Sequence, residues 1–169
     1  MAGRQVRTAI WKQPVGGRVI VLSGVNLDGD VQADRSVHGG SHKAVYAYAI
    51  EDYQYWTDHE GVGTQAGLFG ENLTVLGLDL GSALAGERWR VGTALLEVTQ
   101  PRLPCVKLGI RMGNAQFPRH FRSVGRLGAY LRIIEAGEVR AGDAVQVVSR
   151  PDSAVTLQMM AASLAMRDG

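Results

Sequence analysis

Hydrophobic and polar residues alternate in short runs along most of the chain. The runs 6–11, 18–22, 44–48, 72–76, 87–91, 94–99, 129–135 and 144–148 are each five to seven residues long. They are rich in β-branched and aromatic side chains, the length and composition of strands. In 87–91, Trp89 and Val91 alternate with Arg88 and Arg90, the period of a strand with one buried face. Gly92-Thr93 and Gly142-Asp143 read as tight turns between such runs. Helical spacing is rarer. Glu51-Asp52 opens a segment with Tyr53 and Trp56 on one face, and acid in the first turn suits the helix dipole. The segment 106–112 follows Pro104 and stops at Gly113, 116–122 adds a further turn or two, and 156–166 places Leu157, Met160, Ala161 and Leu164 at helical spacing. Many short strands, Gly-rich turns and few helices predict a mainly β chain, a closed or partly open barrel of antiparallel or mixed strands.

Composition narrows the function. A length of 169 residues suits one domain with a sizeable core. The 22 glycines are spread evenly rather than gathered in linkers, and there are no repeats or charge blocks. A net charge of +2 does not by itself point to nucleic acid. Arg4 and Arg7 interrupt any apolar leader, and no run of about 18 apolar residues exists, so a cytoplasmic protein with no membrane partner is expected. One cysteine cannot form an internal disulfide, and it excludes four-cysteine iron–sulfur or zinc sites within the chain. Only three of the 18 cations are lysine, namely Lys12, Lys43 and Lys107.

Five segments carry candidate chemistry. Cys105 has Arg102 and Lys107 within three residues and a helix start just after it; both favour a thiolate, the form that binds soft metals. A small buried hydrophobe is the plain alternative. In His38-Gly39-Gly40-Ser41-His42-Lys43 the glycines oppose a helical two-histidine metal site, but they let amides converge on an anion, with Ser41 and Lys43 as added donors. A simple turn before the next strand is the alternative there. Asn26 to Asp34 places oxygen side chains at every second position, yet Val31 and Val37 stand where a calcium loop needs Gly and Glu; a turn at Asp28-Gly29, with Asp30 aimed at polar neighbours, fits better. Asn72, in Gly70-Glu71-Asn72-Leu73, offers both donor and acceptor for a pterin-like ring edge. The basic stretch Arg119-His120-Phe121-Arg122 with Arg126 suits a phosphate or acidic partner better than nucleic acid.

Taken in order, the motifs at 6–12, 29–34, 38–46, 69–74 and 101–107 resemble the MOSC domain family, named for the carboxy-terminal domain of molybdenum cofactor sulfurases, and most nearly its stand-alone bacterial YiiM type. The resemblance spans about Val6 to Val148. It implies a barrel domain over 1–150 and a helical tail over 151–169, where longer members continue into a three-helix extension that is truncated or absent here. It also implies a molybdenum cofactor (molybdopterin), with Cys105 as the metal ligand. Lys12, His38, Gly39, Gly40, Ser41, Lys43, Asn72, Arg102 and Lys107 would line the cofactor cleft, and His38 and Asp30 would be proton donors, Glu71 being a further candidate. The implied reaction is reduction of N-hydroxylated compounds, hydroxylamino-purines among them, to amines. With no flavin or haem signature in the chain, electrons would come from a separate flavin- or ferredoxin-type reductase. A carrier of the cofactor, or of sulfur on Cys105, is the rival reading, and a cofactor-free binding module is a third. Monomer and homodimer both stay open.

Overall fold

A computed structural model of the chain describes residues 9–23, 26–30 and 40–166. Among these residues eight strands and four helices follow in the order β1 (Val19–Val21), β2 (Val45–Ala49), α1 (Ile50–Glu60), β3 (Leu73–Val75), β4 (Arg88–Val91), β5 (Ala94–Pro101), α2 (Val106–Met112), α3 (Phe117–Val124), β6 (Ala129–Glu135), β7 (Gly137–Val139), β8 (Val145–Ser149) and α4 (Leu157–Met166). Six strands form one curled half-barrel sheet in the order β3-β2-β6-β5-β4-β8, and β1 pairs with β7 in a small second sheet. Among the described residues every strand pairing is antiparallel except β2 with β3. Register shifts interrupt β5–β6 at Leu95/Leu96 and Val98/Gln100 and β4–β8 at Arg88/Trp89; such bulges sharpen local twist and help a sheet curl. The fold is mainly β, as the sequence predicts.

The expected strand over 6–11 is corrected in its described part, where residues 9–11 are irregular. The reason is a close approach. A Cβ on Gly70 would lie 2.7 Å from Ile10 Cγ1, and one on Gly67 would lie 2.8 Å from the Lys12 carbonyl oxygen. This segment therefore packs against the 67–70 turn instead of pairing as a strand.

Strand β2 is buried at all five positions, which explains a run without clean alternation: both faces are covered. Val45, Ala47 and Ala49 face the barrel core with Trp89, Leu96, Val98 and Leu131. Tyr46 and Tyr48 face a second, aromatic core beneath α1, α2 and α3, in which Trp56 stacks on Phe121 with centroids 5.3 Å apart and Tyr53 on Phe69 at 4.9 Å. Helix α1 carries Glu51 and Asp52 in its first turn and closes on left-handed Gly61; α2 closes likewise on Gly113. Among the described residues no helix is long and apolar enough to cross a membrane.

Candidate functional site

Strand β5 lies between β4 and β6, and its last residue, Pro101, is held opposite Ala129. The chain leaves this fixed point as Arg102-Leu103-Pro104-Cys105. Cys105 is half-buried, with extended backbone (φ −135°, ψ 178°), and immediately precedes the first turn of α2. Two prolines flank the approach, so the position of the thiol follows from the fixed end of β5 rather than from a flexible loop.

Arg102 turns inward. Its side chain is only 7% exposed; Nη1 donates to the Phe69 carbonyl at 2.6 Å, and its guanidinium carbon lies 4.8 Å from the centre of the Tyr46 ring. Burial disfavours its charge, but Tyr46, Tyr130 and Cys105 nearby favour it more strongly, and its pKa stands above the ordinary value. Burial pushes the Tyr46 and Tyr130 hydroxyls up, against the pull of Arg102. Tyr46 and Tyr130, with centroids 5.4 Å apart, form an aromatic wall beside the thiol segment. Neither tyrosine carries a role that its residue type announces; the hint for Tyr46 is its place in the segment 38–46.

A second cluster centres on Asp30. Its Oδ2 accepts hydrogen bonds from Lys12 Nζ at 2.5 Å and from Asn72 Nδ2 at 2.8 Å. Asn72 Oδ1 accepts the Tyr46 N–H at 2.9 Å, and its own N–H donates to the Tyr46 carbonyl at 2.8 Å. Asn26 Nδ2 donates to the Asp30 carbonyl at 2.8 Å, fixing the turn at Asp28-Gly29. Burial lowers the Lys12 pKa, with Asp30 opposing the shift. Both ends of the Asn72 amide thus meet protein partners, so its observed task is to tie the Asp30 turn to β2.

Glu71 anchors the loop that carries Asn72. It is 3% exposed, and Oε1 accepts from the Gly67 N–H at 2.6 Å, Tyr53 Oη at 2.7 Å and Thr74 Oγ1 at 3.0 Å. Its Oε2 has no hydrogen-bond partner among the described residues.

Of the Gly-rich segment, His38 and Gly39 lie outside the described residues. Gly40 adopts φ 91° and leads into a single 3-10 turn over Ser41–Lys43. Thr99 Oγ1 lies 2.6 Å from the His42 carbonyl and 3.0 Å from that of Tyr130, which pins this turn to β5 and β6 beside the tyrosine wall. Ser41 is exposed and Lys43 half-buried. Lys107 sits half-buried in the first turn of α2.

The fold therefore brings Lys12, Asp30 and Asn72 into direct contact and sets Arg102 beside Cys105. Tyr46 joins the two groups through its backbone and its ring. Among the described residues no three His, Cys, Asp or Glu side chains gather to hold a bare metal ion. The donor set is one thiol with one buried cation, Arg102, beside it. That set suits a metal arriving on an anionic organic ligand, which needs a single protein sulfur and charge compensation.

The chain matches the family model of the MOSC domain over residues 34–146. YiiM of Escherichia coli is 36% identical over 158 residues, covering 92% of this chain and 70% of YiiM. A protein of Gibberella moniliformis named "Reductase" is 32% identical over 153 residues, 88% of this chain but 27% of that protein. The crystal structure of YiiM from Geobacillus stearothermophilus superimposes with a TM-score of 0.81 at 31% identity, over 98% of this chain and 78% of the other. With its half-barrel and its single thiol at the end of β5, this chain belongs to the MOSC domain family.

Proposed function

We propose that the chain is a molybdenum-cofactor-dependent reductase that converts N-hydroxylated compounds, hydroxylamino-purines among them, to amines. The observation that carries this reading is the half-buried Cys105 thiol, held just past the end of β5 beside a buried arginine, with no cluster for a bare ion among the described residues. The match to a fungal protein named "Reductase" supports a redox role. The balanced reaction takes R–NHOH, two electrons and two protons to R–NH2 and water. When bound, the cofactor supplies the two-electron oxygen transfer.

The chain's own residues hold and orient. Cys105 is the protein ligand, and Arg102 offsets negative charge at the sulfur from within the core. Lys12 and Lys107 would meet anionic groups of the pterin, as would Ser41, Lys43 and backbone amides of the Gly39-Gly40 segment. Asp30 aims Lys12, and Asn72 fixes Asp30 against β2. The Lys12–Asp30 pair can also pass a proton, because burial favours its loss from Lys12 Nζ, 2.5 Å from the carboxylate. His38 is the other proton donor in this reading. The chain has no flavin or haem signature, so electrons come from a separate reductase.

The test uses protein made in a cofactor-competent host, with molybdenum and pterin measured and turnover of a hydroxylamino-purine driven by reduced methyl viologen. Cys105→Ser is expected to lose nearly all bound molybdenum and turnover while keeping a wild-type circular dichroism spectrum. Wild-type metal content and rate in that variant would refute the ligand assignment. Bound cofactor without turnover would instead make the chain a carrier.

A further inference from the structure

Tyr53 is fully buried in the aromatic core, and its hydroxyl is committed to the segment that holds Arg102. It donates to Glu71 Oε1 at 2.7 Å and accepts the Phe69 N–H at 3.2 Å. A phenol has one proton to give. Burial, and after it the nearby Glu71, pushes the Tyr53 pKa up, so the proton stays and the direction of both bonds is fixed. The Tyr53 ring also stacks on Phe69, with centroids 4.9 Å apart and planes 14° from parallel. Tyr53 therefore grips Phe69 by ring and by backbone together.

Phe69 in turn holds a cation. Its carbonyl accepts Arg102 Nη1 at 2.6 Å, and the preceding carbonyl, that of Leu68, accepts Arg111 Nε at 3.3 Å. Two consecutive carbonyls thus take arginines that lie on either side of Cys105 in the sequence. The turn that offers them is bounded by Gly67 (φ 84°) and Gly70 (φ 81°), residues that leave a backbone free to rotate unless neighbours fix it. Glu71 fixes one end, accepting the Gly67 N–H at 2.6 Å. Tyr53 fixes the residue whose carbonyl carries Arg102. A buried guanidinium has no water to turn to and stands where its acceptor stands, so the setting of Phe69 decides where the charge of Arg102 lies beside the thiol.

We propose that Tyr53 is a positioning residue of the Cys105 site: through the Phe69 backbone, its hydroxyl holds the Arg102 guanidinium where the charge acts on an anionic group arriving at the sulfur. For the identity of that anion the inference rests on the cofactor reading above; the positioning itself is a property of the chain. Tyr48 supplies the contrast. In the same core its hydroxyl accepts Trp56 Nε1 at 2.8 Å and donates to the Arg126 carbonyl at 3.0 Å, partners that do not belong to the 67–70 turn.

The sequence has one cysteine, so alkylation reports on a single sulfur. The full chain, made without cofactor, is treated at one pH with iodoacetate, an anion, and separately with neutral iodoacetamide. Both reagents meet the same thiolate fraction, so the ratio of their rates reads the positive charge beside the sulfur and not its protonation. Tyr53→Phe keeps the stacked ring and is expected to lower the iodoacetate-to-iodoacetamide ratio about threefold or more at low salt. Tyr48→Phe removes a buried hydroxyl from the same core and is expected to leave the ratio unchanged. Arg102→Gln is expected to lower it as far as Tyr53→Phe does, and the double variant no further, as for two residues acting through one group. An unchanged or higher ratio in Tyr53→Phe, an equal fall in Tyr48→Phe, or a further fall in the double variant would overturn the proposal. Wild type and the two tyrosine variants decide the matter even if Arg102→Gln does not fold. In protein from a cofactor-competent host, Tyr53→Phe is expected to keep about threefold less molybdenum per chain through gel filtration than wild type or Tyr48→Phe; equal retention would overturn the role toward the cofactor. Absence of molybdenum from the wild type would refute the cofactor reading alone, because the alkylation ratio still decides the positioning.

Discussion

Replacing Glu71 tests how the candidate site is braced. The carboxylate is 3% exposed, and a single oxygen serves Gly67 N–H, Tyr53 Oη and Thr74 Oγ1. In Glu71→Ala the Gly67 N–H and the Tyr53 hydroxyl, both buried, lose their acceptor. Each buried donor left without one costs about 1–3 kcal/mol. Thr74 is exposed, so its hydroxyl turns to water at little cost. Emptying the side-chain volume adds about 1 kcal/mol, and relief from burying a charge subtracts a similar amount. The net expectation is a loss of about 2–6 kcal/mol. Glu71→Gln keeps an oxygen for the same three donors. It weakens bonds that were charge-assisted and sets an amide N–H2 where Oε2 now has no partner among the described residues, but it also removes a buried charge; about 0–2 kcal/mol is expected. Urea unfolding followed by tryptophan fluorescence measures both, because Trp56 is fully buried in the same aromatic core. Equal losses in the two variants, or an Ala variant within about 0.5 kcal/mol of wild type, would refute the claim that Oε1 is the brace.

Two further outcomes follow from the same geometry. Burial lowers the Lys12 pKa below 10.5, so between the folded value and 10.5 the unfolded chain binds the extra proton and stability rises with pH; the margin of wild type over Lys12→Met should therefore widen as pH is raised towards 10.5. Urea midpoints of the two proteins across that range measure it, and a margin that shrinks with rising pH would reverse the assignment. Gly125 and Gly128 both hold positive φ on the connection from α3 to β6, but a Cβ on Gly125 meets open space while one on Gly128 would lie 2.5 Å from the Ala47 carbonyl oxygen and 2.8 Å from the Tyr46 ring. Gly125→Ala should cost about 1–2 kcal/mol and Gly128→Ala more than about 3 kcal/mol, read from thermal or urea unfolding; comparable losses would mean that β2 yields at this point.

The fold was legible wherever local chemistry and tertiary need agreed. β6 matches the predicted run residue for residue, and α2 has the predicted bounds because Pro104 precedes it and Gly113 can take φ 64°. β7 escaped notice for the opposite reason: three residues beginning with glycine carry no pattern, and their strand character comes from pairing with β1 more than a hundred residues away. The apolar residues Ala9, Ile10 and Trp11 have strand composition, yet Gly67 and Gly70 present bare backbone to Ile10 and Lys12, and that packing wins. Local pattern reports what a segment prefers in isolation; it is silent on which distant backbone offers the better contact.

The site divides along the same line. Residue types nominated Lys12, Asp30, Asn72, Arg102 and Cys105 separately, but the sequence does not reveal that Lys12 and Asn72 share one oxygen of Asp30 across 18 and 42 positions. Arg102 reads in the sequence as a cation placed to attract the sulfur three residues on. In the fold its nearest obligations are the Phe69 carbonyl and the Tyr46 ring, because a buried guanidinium must satisfy its donors before it serves a neighbour. Its influence on Cys105 is therefore that of a fixed internal charge, not a flexible partner. A charge held in this way needs no reorganisation when an anionic group arrives, which is the property that a site for a negatively charged cofactor requires.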